Sequence, residues 1–165
     1  MVKRILISLI IIISISIPLS ILKISTENNY HSNNQFAFLT INKINLKEEL
    51  YPIESEENTI EKHVSILKES IYPDNENSIM ILAAHSGIGK IAYFQELDKL
   101  EINDEVILNY KNNKYTYKVK DIWEEKKTGY INFNKEKNKQ LILTTCSPNK
   151  DGYQLIINCI IKESN

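Results

Sequence analysis

The chain has 165 residues, 42% of them hydrophobic and 25% charged, with 20 basic side chains against 21 acidic ones. That length accommodates one ordinary domain plus a short extra segment and excludes two sizeable domains. Lysine is spread along the whole chain rather than gathered in a stripe, which argues against a nucleic-acid binder, and two cysteines are too few for a disulfide framework.

Lys3 and Arg4 precede an apolar, uncharged run from Ile5 to Leu22, eighteen residues interrupted only by serines and Pro18. At helical rise this just spans a bilayer core. Basic residues before the run favour a cytoplasmic N-terminus over residues 1–4, so 5–22 is expected to be an uncleaved membrane anchor. A cleaved signal peptide is the competing reading, opposed by the length of the run and the lack of an Ala-x-Ala-like site after Leu22. Either way the remainder is exported. Residues 23–35, polar and Asn-rich and containing His31, read as a linker. Residues 36–165 are then the folded domain.

Within that domain short apolar or alternating runs recur between turn residues, the pattern of a mostly β barrel or sandwich. Strands are expected over Phe36–Ile41 and Glu49–Tyr51. Asn58–Leu67 has Ile60, Val64 and Leu67 on one helical face and predicts a helix. Its His63 fits a packed structural role. Ser78–Ala84 reads as a strand ending at His85, and Ala92–Leu100 as a second short helix. Strands follow at Glu105–Tyr110 and Lys114–Trp123, joined by an Asn-containing hairpin turn. Gln140–Cys146 and Gln154–Ile161 complete the set, the last nearly continuous in apolar residues and so buried on both faces. The long polar segment Glu124–Lys139 between two of these strands is expected to wall a substrate groove.

The chemistry concentrates where the apolar strand Leu141-Ile-Leu-Thr-Thr-Cys146 stops two residues before Pro148. Proline cannot donate to a ladder, so the cysteine falls at the sheet's rim. An exported thiol there is either reactive or disulfide-bonded, and its only intramolecular partner would be Cys159, whose IINCII context suits a buried core thiol. A nucleophilic thiol needs a neighbouring base. His85, at a strand end and followed by Ser86-Gly87-Ile88-Gly89, has the same setting as Cys146. The cysteines and histidines show no CxxC, HxxxH or HExxH spacing, so neither metal nor cofactor is expected.

Several stretches fall in a familiar order: Phe38-Leu-Thr-Ile-Asn-Lys-Ile-Asn-Leu-Lys47 with Tyr51-Pro52, His63-Val64 with Pro73, Ile81-Leu-Ala-Ala84-His85, Phe94 to Leu100 with Asn103-Asp104, and Leu143-Thr-Thr-Cys146. This ordered set resembles the sortases, with Asn42 where proline is usual and Ala84 in place of glycine. The resemblance implies a closed eight-stranded β-barrel anchored by an N-terminal transmembrane helix. It also implies a cysteine transpeptidase of the cell membrane that cuts surface proteins at an LPxTG-like sorting signal, holds the acyl group as a thioester and transfers it to a cell-wall or pilin amine. By motif match Cys146 is the nucleophile and His85 the acid and base, with Thr145 and Ala84 at the substrate-binding rim. The family's arginine on the last strand is missing, since Arg4 is the sole arginine of the chain and Gln154 occupies that position. A glutamine amide can donate to an oxyanion but carries no charge and no bidentate fork. The departure leaves two other readings open: a degenerate domain that binds a sorting peptide without turnover, and an exported cysteine peptidase that hydrolyses.

Overall fold

A computed structural model describes residues 35–162; the expected anchor over 5–22, nearly all of the linker, and His31 lie outside them. No helix among the described residues is long and apolar enough to cross a membrane. Eight strands form one sheet: β1 (Ala37–Ile41), β2 (Leu46–Leu50), β3 (Ser65–Ile66), β4 (Ile79–Ala83), β5 (Glu105–Tyr110), β6 (Asn113–Lys126), β7 (Gln140–Cys146) and β8 (Tyr153–Ile161). The sheet order is β2-β1-β5-β6-β8-β7-β4-β3. The barrel is thus nearly closed rather than closed, with β2 and β3 as its end strands. All pairings are antiparallel except β4 with β7.

Alternation along the strands builds the interior. Leu39, Ile41, Leu108, Tyr117, Leu141, Leu143, Leu155 and Ile157 are fully or almost fully buried in one cluster. The opposite face of β4, β7 and β8 carries a smaller apolar group, Ile79, Ile81, Ile142 and Ile156, covered by Leu67, Trp123, Ile131 and Phe133. β8 therefore buries residues on both faces, from Leu155 to Cys159. β6 keeps its alternation in phase through a register shift between Val119 and Asp121, a bulge that turns both Val119 and Ile122 inward and Asp121, Trp123 and Glu125 outward. The β5–β6 hairpin closes on Lys111 and Asn112, both with positive φ, as a two-residue primed turn requires.

Both expected helices are corrected. Asn58–Leu67 folds into turns that lead to β3. Val64 and Ile66 are buried while His63 and Ser65 are only partly so, a period of two that β-branched residues favour. The Asn58 side chain completes this arrangement by donating to Ile66 O (2.9 Å) and accepting from Ile66 N (2.7 Å), imitating a strand partner. Ala92–Leu100 is a run of turns with a 3₁₀ segment at Leu97–Lys99. Its buried residues Phe94, Leu97 and Leu100 recur every three positions, the 3₁₀ period. Two strands also shift: of the expected Glu49–Tyr51 only Glu49 and Leu50 belong to β2, which starts at Leu46, and β6 runs three residues past Trp123, to Lys126.

Candidate functional site

The parallel pairing of β4 with β7 aligns Ala83 with Thr144. β4 ends there, so His85 follows two residues beyond the pair on one strand as Cys146 does on the other, at the end of β7. The strand ends are tied where they leave the sheet: Ala84 N donates to Thr144 O (3.3 Å), and Thr145 Oγ1 donates to Ala84 O (2.7 Å). Thr145 and Ala84 are themselves buried, and alternation turns the Thr145 side chain away from the face that carries Cys146. His85 is half-buried, and its carbonyl accepts from Phe94 N (3.0 Å). Beyond it Ile88, 99% exposed, protrudes between two glycines. His63 lies elsewhere, its ring 4.6 Å from that of Tyr51 and its Nε2 3.6 Å from Glu57.

Cys146 is exposed and free; Cys159 is free and fully buried, and burial pushes its thiol well above the ordinary range. Thiolate chemistry is confined by this difference to Cys146. Directly across the antiparallel ladder from Cys146 sits Gln154, and across from Gln154 sits Glu125 of β6. One level of the outer face thus carries thiol, amide and carboxylate in succession.

The Gln154 amide donates to Glu125 Oε1 (3.1 Å) and to Tyr130 O (2.9 Å). Glu125 also accepts from the backbone and side-chain nitrogens of Asn132, both at 3.1 Å. Burial raises the Glu125 carboxyl, but the hydrogen bonds from Asn132, Gln154 and Trp123 outweigh it and leave the group below its ordinary value. Gln154 and Glu125 together pin the β6–β7 segment over the sheet, while Ile131 and Phe133 seal its apolar underside.

The turn after Cys146 is equally committed. Ser147 N donates to Tyr153 O (3.0 Å), Asn149 N and Lys150 N donate to Ser147 Oγ (3.1 and 3.0 Å), and Ser147 Oγ donates to Glu124 Oε1 (2.6 Å). The Lys150 ammonium lies over the Tyr153 ring, 3.5 Å from its centroid. A contact that the sequence did not suggest comes from the start of the β6–β7 segment, where Lys127 Nζ lies 2.8 Å from Cys146 Sγ. Its approach depends on Lys127 N donating to Gly152 O (2.8 Å), which prolongs the β6·β8 pairing by one residue, and no local sequence pattern announces it.

An exposed thiol at the end of one strand, with an imidazole two residues past the end of the strand paired with it, suits acyl transfer through a thioester. A family profile described as the sortase domain matches residues 39–160. Among solved structures, the chain is similar to sortase C1 of Streptococcus agalactiae, at 25% identity and a TM-score of 0.66, over 78% of this chain and 68% of that one. It is similar in fold to a lid mutant of sortase A from Corynebacterium diphtheriae (18% identity, TM-score 0.69, 80% of this chain and 72% of that one). Sortase C of Streptococcus pneumoniae gives a comparable match (20%, 0.67, 77% and 67%). No curated protein matches the chain in sequence.

Proposed function

Because this chain belongs to the sortase family of cysteine transpeptidases, we propose that it cleaves a sorting signal of the LPxTG type through a thioester at Cys146 and passes the acyl group to an amine. The observation that supports this reading is the β4·β7 pairing of Ala83 with Thr144, beyond which His85 and Cys146 each follow by two residues. Cys146 attacks the scissile carbonyl, and His85 protonates the departing amine. In the second half an incoming amine attacks the thioester, His85 takes its proton and the carbon–sulfur bond breaks.

Ala84 and Thr145 serve the substrate rim from beneath, by clamping the two strand ends together. Gln154 takes the strand position of the family's arginine. To donate to an oxyanion it must first release Glu125 or Tyr130. The substrates in this reading are exported surface proteins or pilins carrying a C-terminal sorting signal, and the acceptor is an amine of a cell-wall precursor or of a pilin. The apolar run over residues 5–22 supports a single-pass anchor with the catalytic domain outside the cell.

A labelled LPxTG-type peptide, offered with and without an amine, tests the reading. Formation of an amide product that Cys146→Ala abolishes is the expected result. Hydrolysis alone would assign a peptidase, and binding without cleavage a sorting-peptide receptor.

A further inference from the structure

Acyl transfer at this site develops negative charge twice, on the sulfur and then on the carbonyl oxygen, and the family's arginine is absent from where it would stabilise either. The described residues contain no arginine at all. The neutral donors nearest the thiol are occupied: both hydrogens of the Gln154 amide are used, Ser147 N, Asn149 N and Lys150 N are bonded within the turn, and Pro148 has none to give. Lys150 is drawn onto Tyr153.

Lys127 differs from all of these. Its ammonium is in contact with the sulfur, at 2.8 Å, and makes no ion pair with a carboxylate among the described residues, where Lys43, Lys62, Lys99, Lys111, Lys120 and Lys162 each do. Its main chain is fixed by the bond to Gly152 O, so the side chain starts from a set point beside the first residues of β8. A lysine is a compact point charge on a flexible stem, able to follow charge from sulfur to oxygen over the short distance between them.

We propose that Lys127 is a catalytic residue which replaces the missing arginine from the start of the β6–β7 segment. In the free enzyme its ammonium rests against the Cys146 sulfur, at 2.8 Å. When the sulfur bonds to the carbonyl carbon, the carbonyl electron pair moves to oxygen, and a Lys127 N–H turns to donate to that oxyanion. As the carbon–nitrogen bond breaks, the leaving amine takes its proton from His85, and Lys127 keeps all of its own. In this division of labour Gln154 holds the covering loop and Lys127 supplies the charge. The proposal rests on the reading of Cys146 as the nucleophile.

The test compares Lys127→Gln, Lys127→Arg and the double variant Lys127→Gln with Gln154→Arg. One readout needs no substrate: the second-order rate of Cys146 alkylation by iodoacetamide as a function of pH. Lys127→Gln should slow alkylation at neutral pH about tenfold or more, because the sulfur loses the cation in contact with it as negative charge gathers there. Turnover of an LPxTG-type peptide should fall by roughly 10²–10³, the scale for loss of one oxyanion donor. Lys127→Arg should keep turnover within about tenfold of the parent, since the charge-assisted donor is retained, and arginine at position 154 should restore part of what Lys127→Gln loses. Lys127 is exposed, so the unfolding temperature should stay unchanged. Wild-type alkylation and turnover in Lys127→Gln, with Cys146→Ala inactive, would overturn this inference and leave the function standing. A hydroxylamine-resistant acyl adduct on Lys127 would overturn it too, since an acylated lysine carries no charge. Activity that survives Cys146→Ala would instead refute the function.

Discussion

The bond from Thr145 Oγ1 to Ala84 O, 2.7 Å long and between two buried residues, joins the strand that bears the thiol to the strand that bears the imidazole. Thr145→Val keeps the side-chain shape and removes the hydroxyl, so the Ala84 carbonyl loses this donor in a place that water does not reach. A buried acceptor left unpaired costs about 1–3 kcal/mol. For a domain of this size each kcal/mol corresponds to roughly 4 °C, so the unfolding temperature should drop by about 4–12 °C. The functional consequence is separable from the thermal one. With the end of β4 released, the segment that carries His85 is no longer tied to the strand that carries Cys146, and a displacement on the order of 1 Å costs up to about 10² in rate. We expect kcat for an LPxTG-type peptide to fall about 10- to 100-fold at a temperature where the variant is fully folded, with little change in KM. Thr145→Ser retains the hydroxyl and should recover most of the lost rate, which a general loss of packing would not allow. Thermal unfolding followed by circular dichroism, together with steady-state kinetics, decides the matter. A variant that unfolds within about 2 °C of the parent and turns over normally would refute the clamp.

Cys159→Ala should leave turnover and Cys146 alkylation intact while lowering stability by roughly 1–2 kcal/mol through the small cavity it opens, as read from denaturant midpoints. Phe133→Ala uncovers the apolar face over Ile142 and Ile156; we expect it to loosen the β6–β7 segment, speed its amide exchange and raise KM more than it lowers kcat. Glu125 is held below its ordinary carboxylate value, so its contribution to loop order is present above that value and is lost as pH falls through the lower, folded one. Amide exchange or proteolytic nicking of the β6–β7 segment should therefore rise below about pH 4.5, and Glu125→Gln, which removes the titration, should abolish that rise.

Six of the eight strands were legible in the sequence because their apolar residues alternate or run continuously between turn signals. β2 was recognisable only at its end, since Lys47, Glu48 and Glu49 mask the pattern. β3 was read as part of a helix because Ile60, Val64 and Leu67 fit a helical face, and the pairing of Ile66 with the Asn58 side chain is a contact that periodicity cannot express. At the site, the end of β7 at Cys146 could be read from Pro148, while β4 stops at Ala83, two residues before the His85 that the glycine-rich turn suggested. The Gln154 substitution was visible against the family pattern, but its partners Glu125 and Tyr130 belong to other segments and follow from the β6·β8 register and the course of the loop. Lys127 was invisible for the same reason. It is one of nineteen lysines, and only the antiparallel return of β8 brings Cys146 under it.

The parallel pair β4·β7 also governs when the site can exist. Thr145 and Ala84 are 61 residues apart in the chain, and no hairpin brings them together. Closing a loop of that length loses chain entropy before any contact offsets it, and pairings of this kind form slowly. The antiparallel neighbours β5 with β6 and β7 with β8 are joined by short turns and can assemble first, whereas β4 must dock across the whole intervening domain. Until it does, His85 and Cys146 are two unrelated side chains on a partly ordered polypeptide. Cys146 ends β7, the seventh of the eight strands, so in the reading proposed here reactivity arrives only as the barrel is completed.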